Sequence, residues 1–150
     1  MDSLLEQAVR RFVSSEHLRN VLQGEWTPLC NEYGEQLVGI RGRIGAASMS
    51  ISGHEIGVDL LEMQPGSAFP LHTHPGDHIL YILSGPGLVH IDGEDRHVET
   101  GDTVFIAAEY PHGVKTLPDA PPLEIVAFGI PHRHLAALDR MKLVTDGEAL

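Results

Sequence analysis

The chain has 150 residues, 10 of them basic and 21 acidic, for a formal net charge of −11. Nucleic acids and anionic membranes are polyanions, so neither is the expected partner. A single cysteine, Cys30, excludes a disulfide framework and a zinc-finger spacing. One domain with a substantial core fits this length. No basic start leads into an apolar run, and no window of about 18 residues is apolar, so the expected compartment is a reducing cytoplasm.

Residues 1–35 read as a helical extension and connector. Ser3 with Glu6 has the form of a capping box, and Leu5, Ala8, Val9, Phe12 and Val13 follow helical spacing. Ser14–Ser15 offers a cap for a second short helix carrying Leu18, Val21 and Leu22, with Gly24 ending the helical signal over 3–23. Trp26 reads as a packing anchor. From Gln36 the pattern changes to short strands, expected over 36–41, 44–51, 55–63, 69–74, 78–83, 87–91, 95–98, 103–107, 112–117 and 123–129. Sixteen glycines and ten prolines punctuate the chain, and short strands at close spacing predict an all-β sandwich or barrel over 36–130. Residues 131–150 read as a short terminal helix around Leu135–Leu138 and a tail.

The chemistry concentrates between Gly66 and Gly85. His72 and His74 are two apart, so a strand aims both at one face. Pro75–Gly76 is a turn signal, and His78 re-enters a strand with even parity, toward the same cavity. His112 ends another strand pattern. Imidazole is the commonest protein ligand for transition metals, so His72, His74, His78 and His112 are the candidate ligands. Leu80 and Ile82 share the parity of His78, and Val114 follows His112 by two; these three are expected to line an apolar pocket. His17, His54, His90 and His97 lie in polar or turn-rich surroundings and read as surface residues. His132 and His134 form a second pair without a third ligand nearby, so they are not assigned to the metal. Lys115 is the nearby cation in sequence, with parity opposed to that of His112.

Gly66, His72, His74 and Gly85 resemble the first motif of the cupin superfamily. The stretch from Gly101 to His112 resembles its second motif, with Ala107 and Glu109 in place of the usual proline and glycine. The resemblance covers roughly residues 36–130. It implies a double-stranded β-helix, a homodimer and a metal held by the motif histidines. His78 stands where the family usually has glutamate, which implies a four-histidine site.

Four neutral imidazoles leave a divalent ion (iron, manganese, nickel, copper or zinc) its full charge, which favours anionic ligands and Lewis-acid polarisation. The expected activity is a metal-dependent, dioxygenase-type reaction on a small organic, anionic substrate. A non-catalytic ligand-binding or sensor module, and a metal-dependent isomerase or lyase, are the alternatives. Tyr81 and Glu124 are the available candidates for a general base, with Tyr81 facing away from His78 by parity.

Overall fold

The structure, a computed structural model, describes residues 11–144. It contains one short helix, α1 (Ser14–His17), and eleven strands: β1 (Thr27–Cys30), β2 (Gln36–Met49), β3 (Glu55–Met63), β4 (Ala68–Thr73), β5 (Asp77–Ser84), β6 (Gly87–Ile91), β7 (Glu94–Val98), β8 (Thr103–Ile106), β9 (His112–Lys115), β10 (Leu123–Ile130) and β11 (Lys142–Leu143). They form two antiparallel sheets, ordered β1-β2-β3-β10-β5-β8 and β11-β4-β9-β6-β7. This is the all-β architecture expected from the strand pattern, and the double-stranded β-helix that the resemblance implies. No helix among the described residues is long and apolar enough to cross a membrane.

Three expectations need correction. Of the expected helical stretch 3–23, residues 3–10 lie outside the described residues. The remainder is helical only over α1, which buries no residue and has no side-chain cap; a helix that packs nothing has little but propensity to hold it. The expected break at 42–43 is absent. β2 runs through it, with a register shift between Ile44 and Ala47 that accommodates the extra residue as a bulge. Leu135–Leu138 forms turns, because Leu135 is buried in the core and the chain is drawn across the barrel end by its flanks.

Alternation along β3, β5 and β10 sets the interior in cross-strand rows. Beyond the Met63–Leu123 pair the rows are Leu61–Ile125–Ile82, then Asp59–Ala127–Leu80, and last Gly57–Gly129–His78. Ile82 is wholly buried, packed with Met63, Ile106 and Leu123 in the apolar core. The rows become smaller and more polar toward one end of the barrel, and a cavity opens there. Opposite parity places Ile79, Phe105 and Phe128 in one row on the outer face of the six-stranded sheet, where all three are exposed.

Glu109 occupies the second-motif position where glycine is usual, and its φ is +61°. That left-handed conformation costs a side-chain-bearing residue about 1–2 kcal/mol. The turn is held because the Glu109 N–H donates to the His74 carbonyl at 2.8 Å. Glu109→Gly removes the steric cost and is expected to stabilise the protein by about 1 kcal/mol, a rise of roughly 2–4 °C in Tm. A thermal melt of the variant that is unchanged or lower contradicts the strain.

Candidate metal centre

His72 and His112 face each other across β4 and β9 as a direct cross-strand pair, with ring centroids 4.3 Å apart. Their alignment depends on a bulge. Phe69 pairs with Val114 and His72 with His112, so three steps on β4 match two on β9. The extra residue switches parity, which puts Phe69 and His72 on the same inner face although they are three apart. Pro70 sits in this irregularity, where a missing N–H costs no ladder bond. His74 follows β4 by one residue, at the turn through Pro75 and Gly76. A Cβ on Gly76 would collide with the Pro131 carbonyl oxygen, so only glycine lets the turn approach that closely.

Each of these three rings is oriented by a main-chain carbonyl two residues away. Nδ1–H of His72 donates to Pro70 at 2.6 Å, that of His74 to Gly76 at 3.0 Å, and that of His112 to Tyr110 at 2.9 Å. The proton on Nδ1 leaves Nε2 with its lone pair free, the tautomer that metal-binding histidines use. Nε2 of His74 and Nε2 of His112 are 3.2 Å apart. Two lone pairs at that distance repel unless a cation lies between or beside them. One ring nitrogen from each of His72, His74 and His112 falls within 4.8 Å of the other two. Convergent imidazole donors with fixed tautomers fit a borderline first-row divalent ion.

Of the four expected histidines, His72, His74 and His112 form the mutually spaced group. His78 reaches across from the facing sheet, with Nδ1 2.9 Å from His74 Nε2 and its ring edge-on to His74 at 3.9 Å. It does not join the mutual spacing of the other three. Its ring lies on Gly129, where a Cβ would come within 2.7 Å of it. The parity of His78 is inward as expected, but it starts β5 on the opposite sheet, and parity does not report distance across the barrel.

The cavity at the cluster measures about 30 Å³ and is lined by the four histidines and by Leu80 and Val114, as expected. Ile82, also expected there, lies deeper in the core and does not line it. Neither Tyr81 nor Glu124 reaches the cavity: both have the outward parity of their strands. Lys115 is held by Asp95 at 2.6 Å, away from the cluster.

Three residues are present that sequence reasoning missed. Arg140 lines this cavity and a smaller one, of about 10 Å³, beside it. Asp59 and His132 line the smaller one. His132 Nε2 is 2.8 Å from Asp59 Oδ2, and its Nδ1 is 3.3 Å from Glu55 Oε2 at the surface. Asp59 is 2% exposed, and its Oδ1 has no partner. The one available signal was an acidic residue of inward parity in β3, which the strand pattern contains at Asp59.

Burial is the main reason that all four motif histidines resist protonation. It holds His72 well below its ordinary value, helped by His112, and takes His74 to about 4, again helped by His112. His78 is lowered further by burial and then by His74, and His112 is lowered by burial. His132 moves the other way, raised chiefly by its bond to Asp59. Unfolded histidines protonate near ~6.5. From there down to the lowered folded values, the unfolded chain binds more protons, so acid favours unfolding. The contribution of His132 is complete below ~6.5 and fades as pH rises through its folded value, but four lowered groups outweigh one raised group. In metal-free protein the urea midpoint is therefore expected to fall between about pH 7 and pH 4.5. A midpoint that stays level or rises in acid contradicts a neutral, buried cluster.

Residues 59–129 match the family described as the cupin domain. A stretch of 67 residues is 37% identical to an uncharacterized protein of Methanocaldococcus jannaschii, covering 44% of this chain and 53% of that one. Another of 56 residues is 36% identical to an oxalate-binding protein of Thermotoga maritima, covering 37% of this chain and 46% of that one. The chain thus spans about half the length of the curated relatives it matches. The polyketide cyclase RemF of Streptomyces resistomycificus has a similar fold, with a TM-score of 0.66 at 17% identity over 87% of each chain. Residues 59–129 thus match the cupin domain, and the fold is similar to that of the solved cyclase.

Proposed function

We propose that this cupin barrel is a metal-dependent enzyme acting on a small organic acid, with chemistry of the isomerase or lyase type. The observation that carries the reading is the convergence of one ring nitrogen each from His72, His74 and His112 on an otherwise apolar cavity. Those three residues would hold a divalent ion of iron, manganese, nickel, copper or zinc, and His78 is proposed as a fourth ligand because its Nδ1 already faces the His74 Nε2. Such an ion, when bound, supplies Lewis-acid polarisation of a substrate oxygen. The protein's own residues do the rest. Leu80, Val114 and their apolar neighbours exclude water, which strengthens every electrostatic interaction inside. Asp59, oriented by His132, is a carboxylate with a free oxygen on the adjoining cavity. It is placed to take or return a proton, and His132 and Glu55 connect it to solvent. That feature favours isomerase or lyase chemistry, which moves protons, over the oxygenase expected from sequence. The apolar lining favours the oxygenase as the second reading.

The test is turnover with and without dioxygen. Metal-loaded protein is mixed with a panel of small 2-oxo acids, 2-hydroxy acids and β-dicarbonyls in deuterated water, and products are read by NMR beside an oxygen electrode. Deuterium incorporation or product formation without oxygen uptake is expected. Oxygen uptake matched to product would establish the oxygenase instead, and tight binding with neither would establish a sensor. His78→Ala separates the ligand sets: metal affinity is expected to drop at least as much as on loss of an orienting partner, about 10–100-fold. Unchanged metal content after dialysis against a chelator leaves a three-histidine site.

The homodimer is proposed to form through the outer face of the six-stranded sheet. Ile79, Phe105 and Phe128 present one apolar row there, and sheet faces of this kind mark interaction surfaces. Phe105→Asp is expected to convert a dimer to monomer in sedimentation; a variant of unchanged mass places the interface elsewhere.

A further inference from the structure

After β10 the chain crosses the open end of the barrel, and it is fixed on both sides of Arg140. Leu135 and Met141 are buried, at 1% and 2% exposure. β11 pairs with β4 at Thr73 and His72. The Leu143 N–H donates to Glu32 Oε1 at 2.6 Å, and the Val144 N–H to the Leu71 carbonyl at 3.1 Å. The arginine is thus delivered to the histidine cavity by buried side chains and strand pairing on both sides of it.

Among the described residues, the Arg140 guanidinium forms no ion pair and no side-chain hydrogen bond, although it lines both cavities. Burial lowers its pKa, and the field of Asp59 only partly offsets this. Asp59 is the one acidic residue lining either cavity, and its Oδ2 is engaged by His132 at 2.8 Å. A partly desolvated cation with no anion bonded to it is an expensive arrangement unless a ligand completes it. The guanidinium fork matches a carboxylate in two parallel hydrogen bonds. A phosphate fits less well: the remaining lining is apolar (Phe69, Leu80, Val114, Ile125), and its extra oxygens would be left without donors. A cavity of about 30 Å³ has room for about two water-sized groups, the scale of the head of a small acid.

We propose that Arg140 is the specificity-determining residue of the site, and that it anchors the carboxylate of a small organic acid whose remaining atoms lie against the histidines. This rests on the metal-dependent reading above and names its substrate class. A bound divalent ion adds a second positive charge to the same cavity, so an anion bridging guanidinium and metal is favoured over a neutral carbonyl compound.

The test uses the full chain loaded with cobalt(II), whose visible spectrum reports ligands at the metal. Three probes are titrated by calorimetry and absorption: acetate, its uncharged twin acetamide, and imidazole as a neutral ligand directed at the metal alone. The parent is expected to bind acetate about tenfold or more tightly than acetamide. Arg140→Gln is expected to lose about tenfold or more in acetate affinity, with cobalt content unchanged and imidazole affinity within about twofold of the parent. Arg140→Lys keeps the charge but not the fork, and is expected to fall between the two; it is the variant to read should Arg140→Gln not fold. Acetate affinity equal to the parent in Arg140→Lys and in any folded Arg140→Gln overturns the proposal. So does an equal loss for acetate and imidazole. A parent that takes up no cobalt sinks the metal reading alone. Acetate then goes into metal-free protein, where binding that is lost in Arg140→Gln supports the anchor and no binding in the parent overturns it.

Discussion

The site depends on three short hydrogen bonds that never touch a ligand. Nδ1–H of His72, His74 and His112 each donates to a carbonyl within two residues. Because donor and acceptor are so close in sequence, local backbone shape alone sets each ring's tautomer and rotation. The β4 bulge, the Pro75–Gly76 turn and the start of β9 are therefore parts of the site as much as the rings are. Without them the imidazoles could rotate to bond one another and quench their lone pairs. With them, the Nε2 lone pairs are held together in a dry cavity, an arrangement that is unfavourable until a cation enters.

The facing sheet contributes mainly by what it omits. Along β10 the inner face changes from Ile125 to Ala127 to Gly129, and the partner row on β3 ends in Gly57. Cβ atoms at Gly57 and Gly129 would stand within 2.7 Å of the His132 and His78 rings respectively. Two glycines paired across strands thus let two imidazoles lie on the sheet where side chains would otherwise close the barrel. Apolar packing stabilises the deep end, and the same register applied to smaller residues produces the cavity. Core and site are one set of rows with a gradient of volume.

That gradient explains what the sequence made legible. Alternation in β3, β5 and β10 follows from the strand period, so the inward parity of His78, Leu80 and Ile82 could be read directly. His72, His74 and His112 were legible because a two-residue spacing in one strand and a motif in another bring them together. Depth was not legible: Ile82 has the right parity but is wholly buried, while its row partners Leu61 and Ile125 reach the cavity. Nor was separation across the barrel, which keeps His78 out of the mutual spacing of the other three. The Leu135–Leu138 stretch reads as helix by composition, yet burial of Leu135 and pairing of β11 with β4 draw it out. Arg140, Asp59 and His132 come together only through that excursion and the β3–β10 pairing. His132 lies 73 residues from Asp59 and 77 from Glu55 in sequence, and no local pattern encodes such a contact.

The charge distribution ties these features together. The surface is strongly acidic, with a net −11 over the chain, while the cavity holds a guanidinium beside imidazoles that burial keeps neutral. A distant acidic surface is screened over roughly 8–10 Å at physiological salt, but charges inside a low-dielectric cavity are screened much less. An approaching anion is therefore weakly repelled outside and strongly attracted once desolvated near Arg140. Such a profile lets electrostatics act on what enters the cavity rather than on what gathers around the protein. It also explains why Arg140 has no carboxylate of its own within the described residues: an internal partner would cancel the attraction. Asp59 offsets part of the desolvation of that cation through its field, without forming a hydrogen bond to it among the described residues.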